Sequence, residues 1–331
     1  MNFPTHIGLI FRQKNVDYSI EKVFKPLIPI FEGKYVVDKC FVPYYKVSLW
    51  AILSNILYTF CNRKDINHIT GVMHYCALLL PKENTIITVH DLNLPGHGIK
   101  RKILMWLFVH LPAKRVGHIT CITEATKREL IKECPKAADK ITVIYNPIST
   151  EFCYNRKEFN SELPRILHIG TRKNKNLERV VRALKGIKCH LVIIGKLNEY
   201  QRNLLSDCGI NYSNKYGITD QEILDEYVSC DIVSFPSLSE GFGMPIIEGQ
   251  AVGRPVLTSN IPPMNEVSGD AVVYVDPEDV NSIRKGFADI IDNEKLRQSL
   301  IVKGLENVKR FEPNSIAQKY MDLYSKILSV G

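Results

Sequence analysis

The stretch DIVSFPSLSEGFGMPIIEGQAVG (residues 231–253) joins a short apolar run to a second apolar run through a glycine-rich turn. The first run is typical of a buried strand. The second run predicts a helix, because Pro245 suits the first helical turn, where its missing N–H leaves no hydrogen bond unmade. A strand that leads through a glycine-rich loop into a helix indicates a parallel sheet with helices on its faces.

The same alternation recurs along the chain. Short apolar runs predict strands at residues 6–11, 35–42, 66–70, 85–90, 118–123, 141–146, 166–170, 190–195, 232–236, 255–259 and 271–275. Segments with a helical period lie between them, for example at 176–186 and 219–230. The segment 146–164 has turn-forming residues and no period, which indicates a linker. The sequence therefore predicts an α/β protein of two Rossmann-like domains, residues 1–150 and 151–312, whose parallel sheets face each other across an interdomain cleft.

The composition, with 45% hydrophobic and 24% charged residues, is that of a globular protein and excludes a disordered or collagen-like chain. The net charge of +8 is unevenly distributed. Residues 1–147 carry 20 Lys and Arg against 11 Asp and Glu, a net +9, while residues 148–331 carry 23 against 24, a net −1. A basic first half either faces an anionic surface or acceptor, or simply supplies solubilising lysines. We expect no nucleic acid partner.

The nine cysteines are scattered, with no C-x-x-C pair, which is typical of reduced thiols in a cytoplasmic protein. The first residues, MNFPTHIGLIF, lack the charged region and long apolar core of a signal peptide. No stretch reaches the roughly 18 apolar residues of a membrane-spanning helix. We therefore expect a cytoplasmic location. Neither an Asp-x-Asp pair nor a His or Cys cluster occurs, so we expect chemistry without a metal or other cofactor.

The glycine-rich turn has the composition of a phosphate site. Gly241 and Gly243 let backbone N–H groups approach a ligand, and the start of the following helix offers unbonded N–H groups and a positive dipole end. Glu248 would repel phosphate and is better suited to accept hydrogen bonds from a ribose. Glu240, at the loop entrance, is placed to accept from a sugar beyond the phosphate. These groups match a sugar nucleotide; the alternative is a strand–turn–helix corner with a solvated acid at each end.

A family resemblance adds to this interpretation. It is carried by residues 166–184, 190–197, 235–279 and 304–311, and more weakly by 85–92 and 118–130. These segments resemble the family-four retaining glycosyltransferases of GT-B fold, in which an E-x(7)-E motif runs from loop into helix as Glu240 and Glu248 do. The resemblance implies transfer of a hexose from a nucleotide diphosphate sugar to a glycan or lipid-linked acceptor, with retention of configuration, in cell-surface polysaccharide assembly.

The resemblance assigns catalytic roles to three residues. Lys175 matches the family's phosphate-binding lysine and would neutralise the charge of the departing diphosphate. In other enzymes a divalent metal ion has this role. Glu240 would orient the donor sugar through its hydroxyls. His90 ends a predicted strand and matches the family's histidine that contacts this sugar, although a strand-terminal histidine by itself is also explained by a structural hydrogen bond. The acceptor hydroxyl would attack on the face from which the diphosphate departs.

Other residues are implied in binding the donor. They are Arg172, Tyr216, Gly217, Ile218, Phe242, Gly243, Met244, Pro245 and Glu248. Glu248 would hold the ribose hydroxyls, the loop 214–220 would lie against the base, and the backbone of residues 242–245 would face the diphosphate. The family's usual arginine directly follows the strand's glycine. Arg172 comes one position later, so it either replaces that arginine or is solvated.

The first domain departs from the family. Residues 11–24 replace the usual glycine-rich loop, which leaves Arg12, Lys14 and Tyr18 as candidate acceptor contacts. Two apolar stretches with cationic flanks and a tryptophan each, 46–64 and 100–115, are either interfacial helices on anionic lipid or ordinary core helices. An anionic surface at the inner face of the cytoplasmic membrane is therefore a further candidate partner.

The C-terminal helix, residues 313–331, has apolar residues three or four positions apart, and the resemblance implies that it packs on the first domain. Two other functions stay open: a non-catalytic sugar-nucleotide-binding partner subunit, and a nucleotide-sugar epimerase. The presence of Glu240, Glu248 and Lys175 argues against the first. A basic surface on the first domain would be unnecessary for the second.

Overall fold

The computed structural model describes residues 4–13, 19–45, 48–94 and 97–330, without the side chains of residues 19–21 and 330. Its contacts divide the chain into two compact units. Unit 1 comprises residues 1–149 and 312–331, and unit 2 comprises residues 150–311. The boundary between residues 149 and 150 falls within the segment 146–164 that predicts a linker.

Unit 1 is built on a six-stranded sheet in the order β2-β1-β3-β4-β5-β6. Its strands are β1 (His6–Phe11), β2 (Val36–Phe41), β3 (Ile66–Ile69), β4 (Thr85–Val89), β5 (His118–Cys121) and β6 (Ile141–Val143). Every neighbouring pair is parallel, and Ile7 of β1 lies opposite both Val37 and Ile66. Parallel strands need crossover connections, so both faces of the sheet are covered and the inner strands are almost wholly buried.

Two helical layers cover this sheet. The first layer contains α3 (Leu49–Cys61), the 3₁₀ turn His74–Leu79, α4 (Gly98–Met105), a π-helical turn Trp106–His110, α5 (Leu111–Arg115) and α6 (Glu124–Glu133). The second layer contains α1 (Ser19–Phe24), α2 (Ile28–Glu32) and the C-terminal helix Pro313–Val330. Residues of β4 point alternately to the two layers: Ile87 and Val89 belong to the first layer's apolar cluster, and Ile86 belongs to the second's.

The C-terminal helix is part of the core of unit 1. Its buried residues are Ile316, Ala317, Tyr320, Leu323, Tyr324 and Ile327. The Tyr324 hydroxyl lies 2.7 Å from Nδ1 of His68, whose Nε2 lies 2.7 Å from the hydroxyl of Thr88. Burial lowers the pKa of His68 to about 3, so this histidine is neutral and acts as a polar link between helix and sheet.

Unit 2 is built on a second six-stranded parallel sheet, in the order β12-β11-β10-β7-β8-β9. Its strands are β7 (Arg165–Ile169), β8 (His190–Ile194), β9 (Tyr212–Lys215), β10 (Ile232–Phe235), β11 (Val256–Ser259) and β12 (Val273–Val275). Its helices are α7 (Leu177–Leu184), α8 (Glu199–Asp207), α9 (Asp220–Ser229), α10 (Met244–Ala251), α11 (Met264–Ser268), α12 (Val280–Asp292) and α13 (Glu294–Val308). The chain moves outward from β7 through β8 to β9, and on the other side from β10 through β11 to β12. The strand order therefore reverses between β7 and β10.

The predicted class, an α/β protein with two parallel sheets, is confirmed. Each of the eleven predicted strands is present, and β9 is an additional strand. None of the helices that the structure describes is long and apolar enough to cross a membrane.

Candidate active site

The carboxyl ends of β7 and β10 lie side by side in unit 2, at the point where the strand order reverses. In open parallel sheets this is the place where loops diverge and leave a ligand site. The loop after β7 carries Lys175, and the loop after β10 carries Glu240. The sheet thus brings together two of the predicted catalytic residues, which lie 65 positions apart in the sequence.

Lys175 is placed by a tight turn after β7. Gly170 has a φ of 96°, and a Cβ on it would lie only 2.7 Å from Cγ of Lys175, so the lysine stem crosses directly over the glycine. A 3₁₀ turn, Lys173–Lys175, follows. It brings the Lys175 ammonium to 4.8 Å from the centre of the Phe235 ring, at the end of β10. Attraction between the cation and the ring holds the ammonium at the sheet edge.

Asn176 ties three loops together beneath this turn. It adopts a left-handed conformation with a φ of 64°, which asparagine tolerates better than most residues. Its side-chain amide donates to the carbonyls of Pro236 (2.9 Å) and Pro277 (2.7 Å), which follow β10 and β12. Its side-chain oxygen accepts from Arg179 at 3.0 Å. Because the amide is buried and fully bonded, it fixes the position of Lys175 relative to the loop after β10.

Lys175 and Glu240 form an ion pair, with 2.7 Å between the lysine Nζ and the glutamate Oε1. The side chains are 21% and 13% exposed. Asn174 donates to the same carboxylate oxygen at 3.3 Å and to the Ser239 carbonyl at 3.0 Å. The pair therefore lies at the edge of solvent, where an entering ligand can replace either partner.

The start of α10 follows Glu240 closely. Gly243 caps the helix with a φ of 105°, a conformation that a side chain would strain, and Pro245 lies in the first turn. Phe242 is buried with its ring edge-to-face against Phe311, 5.8 Å between centres, which anchors the loop. The first N–H groups of an α-helix have no partner inside the helix. The backbone of Phe242, Gly243 and Met244 is thus at the positive end of α10, as a phosphate site requires.

Glu248 is one turn further along α10, and a tyrosine holds it. Tyr227 of α9 is fully buried and donates its hydroxyl to Oε2 of Glu248 at 2.5 Å. Burial, and next the Glu248 charge, raise the pKa of Tyr227 well above its usual value, so the phenol stays protonated and remains a donor. The bond fixes the orientation of the Glu248 carboxylate.

The predicted base-binding loop joins β9 to α9. Tyr216 is 65% exposed, Gly217 has a φ of 68°, and Ile218 is half-buried against the apolar cluster of this face. The loop thus offers an aromatic ring and backbone groups at the same sheet edge as Lys175. Arg172 is exposed on the turn after β7, and its guanidinium makes no hydrogen bond or ion pair with any residue that the structure describes.

His168, on β7 close to Lys175, is a buried polar residue that sequence analysis missed. Its Nδ1 lies 3.4 Å from the hydroxyl of Ser234, and its Nε2 has no hydrogen-bond partner among the described residues. Burial, and next the Lys175 charge, lower the pKa of His168 to about 4. The imidazole is therefore neutral at pH 7 and does not compete with Lys175 for an anion.

His90 follows β4 in unit 1. Its Nε2 lies 2.7 Å from the carbonyl oxygen of Thr70. Since a carbonyl only accepts, Nε2 is the protonated nitrogen, and Nδ1 is an acceptor in the neutral ring. Burial lowers the pKa of His90 to about 4, which keeps the ring neutral. Asp91 accepts from the backbone N–H of Asn93 at 3.0 Å, which is a local turn contact.

Three residues that shape the site had no clear sequence signal. Asn176 acts through its side-chain amide, which donates to the carbonyls of Pro236 and Pro277. Thr70 acts through its own backbone carbonyl, and Tyr227 resembles any other apolar position of an amphipathic helix. Of the candidate acceptor contacts, Arg12 is buried, while Lys14 and Tyr18 lie outside the described residues. Within the described part of the chain, no three His, Cys, Asp or Glu side chains are grouped as metal ligands would be.

Comparison with known proteins matches both halves of the chain. The model of glycosyl transferases group 1 matches residues 152–306, and the model of glycosyltransferase family 4 matches residues 28–152. The chain is 27% identical over 261 residues to the O-antigen chain mannosyltransferase RfbU of Salmonella typhimurium, a match that covers 75% of this chain and 70% of the relative.

Solved structures give the same result for the fold. A glycosyltransferase from Rickettsia africae superposes with a TM-score of 0.78 at 17% identity, covering 98% of this chain and 99% of that one. HepE of Anabaena, solved with UDP and glucose, superposes with a TM-score of 0.78 at 13% identity, covering 97% and 100%. These neighbours and the two parallel sheets show that the chain has the GT-B fold. The two family models, which together match residues 28–306, and the relative RfbU support a glycosyltransferase of the family-four type.

Proposed function

We propose that the protein transfers a hexose from a nucleotide diphosphate sugar to a hydroxyl of a glycan or lipid-linked acceptor, with retention of configuration. The observation that carries this proposal is the ion pair between Lys175 and Glu240 beside the start of α10. A cation and helical N–H groups suit a diphosphate, and a carboxylate next to them suits the hydroxyls of the attached sugar.

The donor lies along the carboxyl edge of the second sheet. Glu248 accepts hydrogen bonds from the ribose, and Tyr227 keeps its carboxylate oriented. The base lies against residues 216–218, where Tyr216 supplies an exposed ring. The N–H groups at the start of α10 bind the diphosphate, and Arg172 is free to add a second cation. HepE of Anabaena, of the same fold, has been solved with UDP-glucose, which supports a donor of this class.

Charge stabilisation is the main chemical task of this site. As the glycosidic bond breaks, negative charge builds on the leaving diphosphate oxygen, and Lys175 together with the start of α10 stabilises it. Glu240 exchanges its contact with Lys175 for the sugar hydroxyls, so it orients the sugar and does not act as a nucleophile. The acceptor hydroxyl attacks from the face of the departing diphosphate. No metal or cofactor is required in this proposal, because the lysine supplies the positive charge.

His90 contacts the donor sugar in this proposal. The hydrogen bond to Thr70 fixes the tautomer, so that Nδ1 can accept from a sugar hydroxyl. A neutral ring suits this role, since it adds no charge beside the developing oxocarbenium character of the sugar.

The substrate class follows from the relatives. RfbU of Salmonella typhimurium is an O-antigen chain mannosyltransferase, which supports mannose as the first sugar to test and cell-surface polysaccharide as the product. A lipid-linked acceptor would lie at a membrane, so the proposed location is the cytoplasm, at the inner face of the membrane.

Proton NMR of the product tests the proposal. The purified chain is incubated with GDP-mannose, UDP-glucose or ADP-glucose and a lipid-linked or oligosaccharide acceptor. An α-linked product from an α-linked donor, seen in the one-bond C1–H1 coupling constant of the anomeric centre, is the expected result. A β-linked product would contradict retention. Epimerised nucleotide sugar formed without acceptor would instead identify an epimerase.

A further inference from the structure

The exposed apolar side chains of unit 1 are concentrated on its first helical layer. On α3, Leu49 is 75% and Trp50 is 72% exposed, and Leu53 and Leu57 continue the same face. On α4 and the turn after it, Ile99, Ile103 and Trp106 are 77%, 59% and 54% exposed. These spacings of three or four residues place the exposed groups on one side of each helix. The face contains two tryptophans and aliphatic side chains, where a solvated helix would have polar ones.

The second helical layer of the same sheet is different. Among its described side chains, Leu328, at 37%, is the one large apolar group that is exposed. Isolated apolar groups on a surface need no explanation, but a contiguous set usually marks a contact with a partner or membrane. The asymmetry between two layers on one sheet therefore indicates that the first layer has an apolar partner.

The exposed face of α3 is firmly anchored from behind. Ile52 and Ile56 belong to the buried cluster of the first layer. Asn55 donates to the Tyr75 hydroxyl at 2.9 Å, and the Tyr75 ring packs edge-to-face on Phe108, 5.0 Å between centres. The helix is therefore already seated on its sheet, and the outward residues cannot become buried by a small rotation.

A basic groove opens beside the exposed face of α4. It has a volume of about 560 Å³, and its lining includes Arg101, Lys102, Trp106, His110, Lys114 and Glu133. The single carboxylate, Glu133, lies 3.6 Å from Nε2 of His110. Three cations are thus left for an anion, and Trp106 belongs both to the groove and to the apolar face.

We propose that the first helical layer of unit 1 docks on an anionic lipid bilayer, with the side chains of Leu49, Trp50, Ile103 and Trp106 among the acyl chains and a headgroup phosphate in the groove that runs along α4 and α5 beside Glu133 of α6. This arrangement matches an interfacial surface, in which tryptophan and aliphatic groups insert while Lys and Arg meet phosphates. It deepens the proposed function and rests on it, since it names the surface that meets a lipid-linked acceptor. The groove begins at Gly98, eight residues after His90.

Vesicle flotation of the full-length chain tests this docking. The probes are vesicles of phosphatidylcholine alone and of phosphatidylcholine with phosphatidylglycerol, each at low and high salt. The chain should float with the anionic vesicles and not with the neutral ones. The pair Leu49→Ser and Trp50→Ser should weaken flotation by about tenfold or more at both salt concentrations, because burial of apolar groups is not screened. The pair Arg101→Glu and Lys102→Glu should weaken it by about tenfold or more at low salt.

Matched controls lie on unit 2. Lys285→Glu with Lys303→Glu changes the charge equally. Tyr200→Ser with Val302→Ser removes apolar groups that are 57% and 68% exposed. Both pairs should float like the parent. If the controls lose as much flotation as the unit 1 variants, or if the parent does not float with anionic vesicles, the proposed docking surface is wrong. So would a dimer in sedimentation velocity that the α3 variant converts to a monomer, since a second copy would then cover this face. Donor binding, measured by calorimetry on the same variants, should be unchanged, so failure of docking is distinguishable from failure of the proposed function.

Discussion

The ammonium of Lys175 lies 2.7 Å from a carboxylate oxygen of Glu240, although the two residues follow different strands of the second sheet. The group proposed to bind diphosphate and the group proposed to bind the sugar thus pair with each other. A nucleotide sugar offers both of them a replacement partner at once. The pair keeps two charges in position at the sheet edge without leaving either one unpaired.

Replacement of Lys175 by methionine should lower turnover more than donor affinity. The lysine charge matters most as the diphosphate departs, so we expect kcat to fall by about 100- to 1000-fold. Lys173→Met is the matched control, since this lysine is exposed on the same 3₁₀ turn. Steady-state kinetics checks both variants. If the kcat of Lys175→Met stays within a few-fold of that of the parent, Lys175 is only a surface cation without a catalytic role.

Replacement of Glu248 by alanine should weaken donor binding by about 1–3 kcal/mol, because charged hydrogen bonds to the ribose are lost. Tyr227→Phe removes only the hydroxyl that orients Glu248, so a smaller loss of about 0.5–1.5 kcal/mol is expected. Calorimetric titration with the nucleotide sugar measures both. If the donor affinity of Glu248→Ala is unchanged, Glu248 does not bind the ribose hydroxyls.

Chelation of metals should leave the transfer reaction largely intact. In the proposed site, the positive charge on the leaving group comes from Lys175 and the start of α10. Activity is measured before and after dialysis against EDTA, with Mg²⁺ or Mn²⁺ restored in a parallel sample. Complete loss that only added metal reverses would contradict this account of the site.

The free energy of unfolding should fall as the pH is lowered from 6.5 towards 4. Burial lowers the pKa of His168 from 6.5 to about 4 in the folded chain, so the unfolded chain binds more protons throughout this window. Stability is therefore complete above pH 6.5, and His168 alone accounts for a loss of about 2 kcal/mol at pH 5.

Urea denaturation at pH 7 and pH 5 measures this loss. The variant His168→Gln should lose less stability between the two pH values than the parent does. The exposed His97→Gln is the control and should follow the parent. If His168→Gln and the parent lose equal stability, the buried imidazole is not the acid-sensitive group.

The sequence predicted strands well wherever they are buried on both faces. The runs of β4 and β8 are almost wholly apolar, and their bounds agree with the predicted ones to within one residue. The strand β9, Tyr212–Lys215, was missed because it lies at the sheet edge and reads YSNK, without a buried run. Edge strands are partly solvated, so their patterns are weak.

The sequence predicts the candidate site as a set of residues but not as a set of contacts. The types and spacing of Glu240, Glu248 and Lys175 indicate a sugar nucleotide. Their partners depend on the strand order, which places β7 beside β10 and α9 beside α10, and the sequence does not contain that order in any local pattern. The contact of Tyr227 with Glu248 and that of Lys175 with Glu240 could therefore be found only in the fold. Likewise, the spacing of apolar residues along α3 does not separate a buried face from an exposed one. Only the structure shows which of these residues stay exposed.

Calorimetric titration of the parent and of the double variant Lys175→Met, Glu248→Ala tests the central claim most directly, namely that the carboxyl edge of the second sheet holds a nucleotide diphosphate sugar. The titrants are GDP-mannose, UDP-glucose and ADP-glucose. We expect at least one of them to bind the parent with a Kd below about 1 mM, and to bind the double variant about 100-fold more weakly, the equivalent of about 2.7 kcal/mol. Binding of equal strength to the parent and the double variant, or no binding of any of the three to the parent, would contradict it.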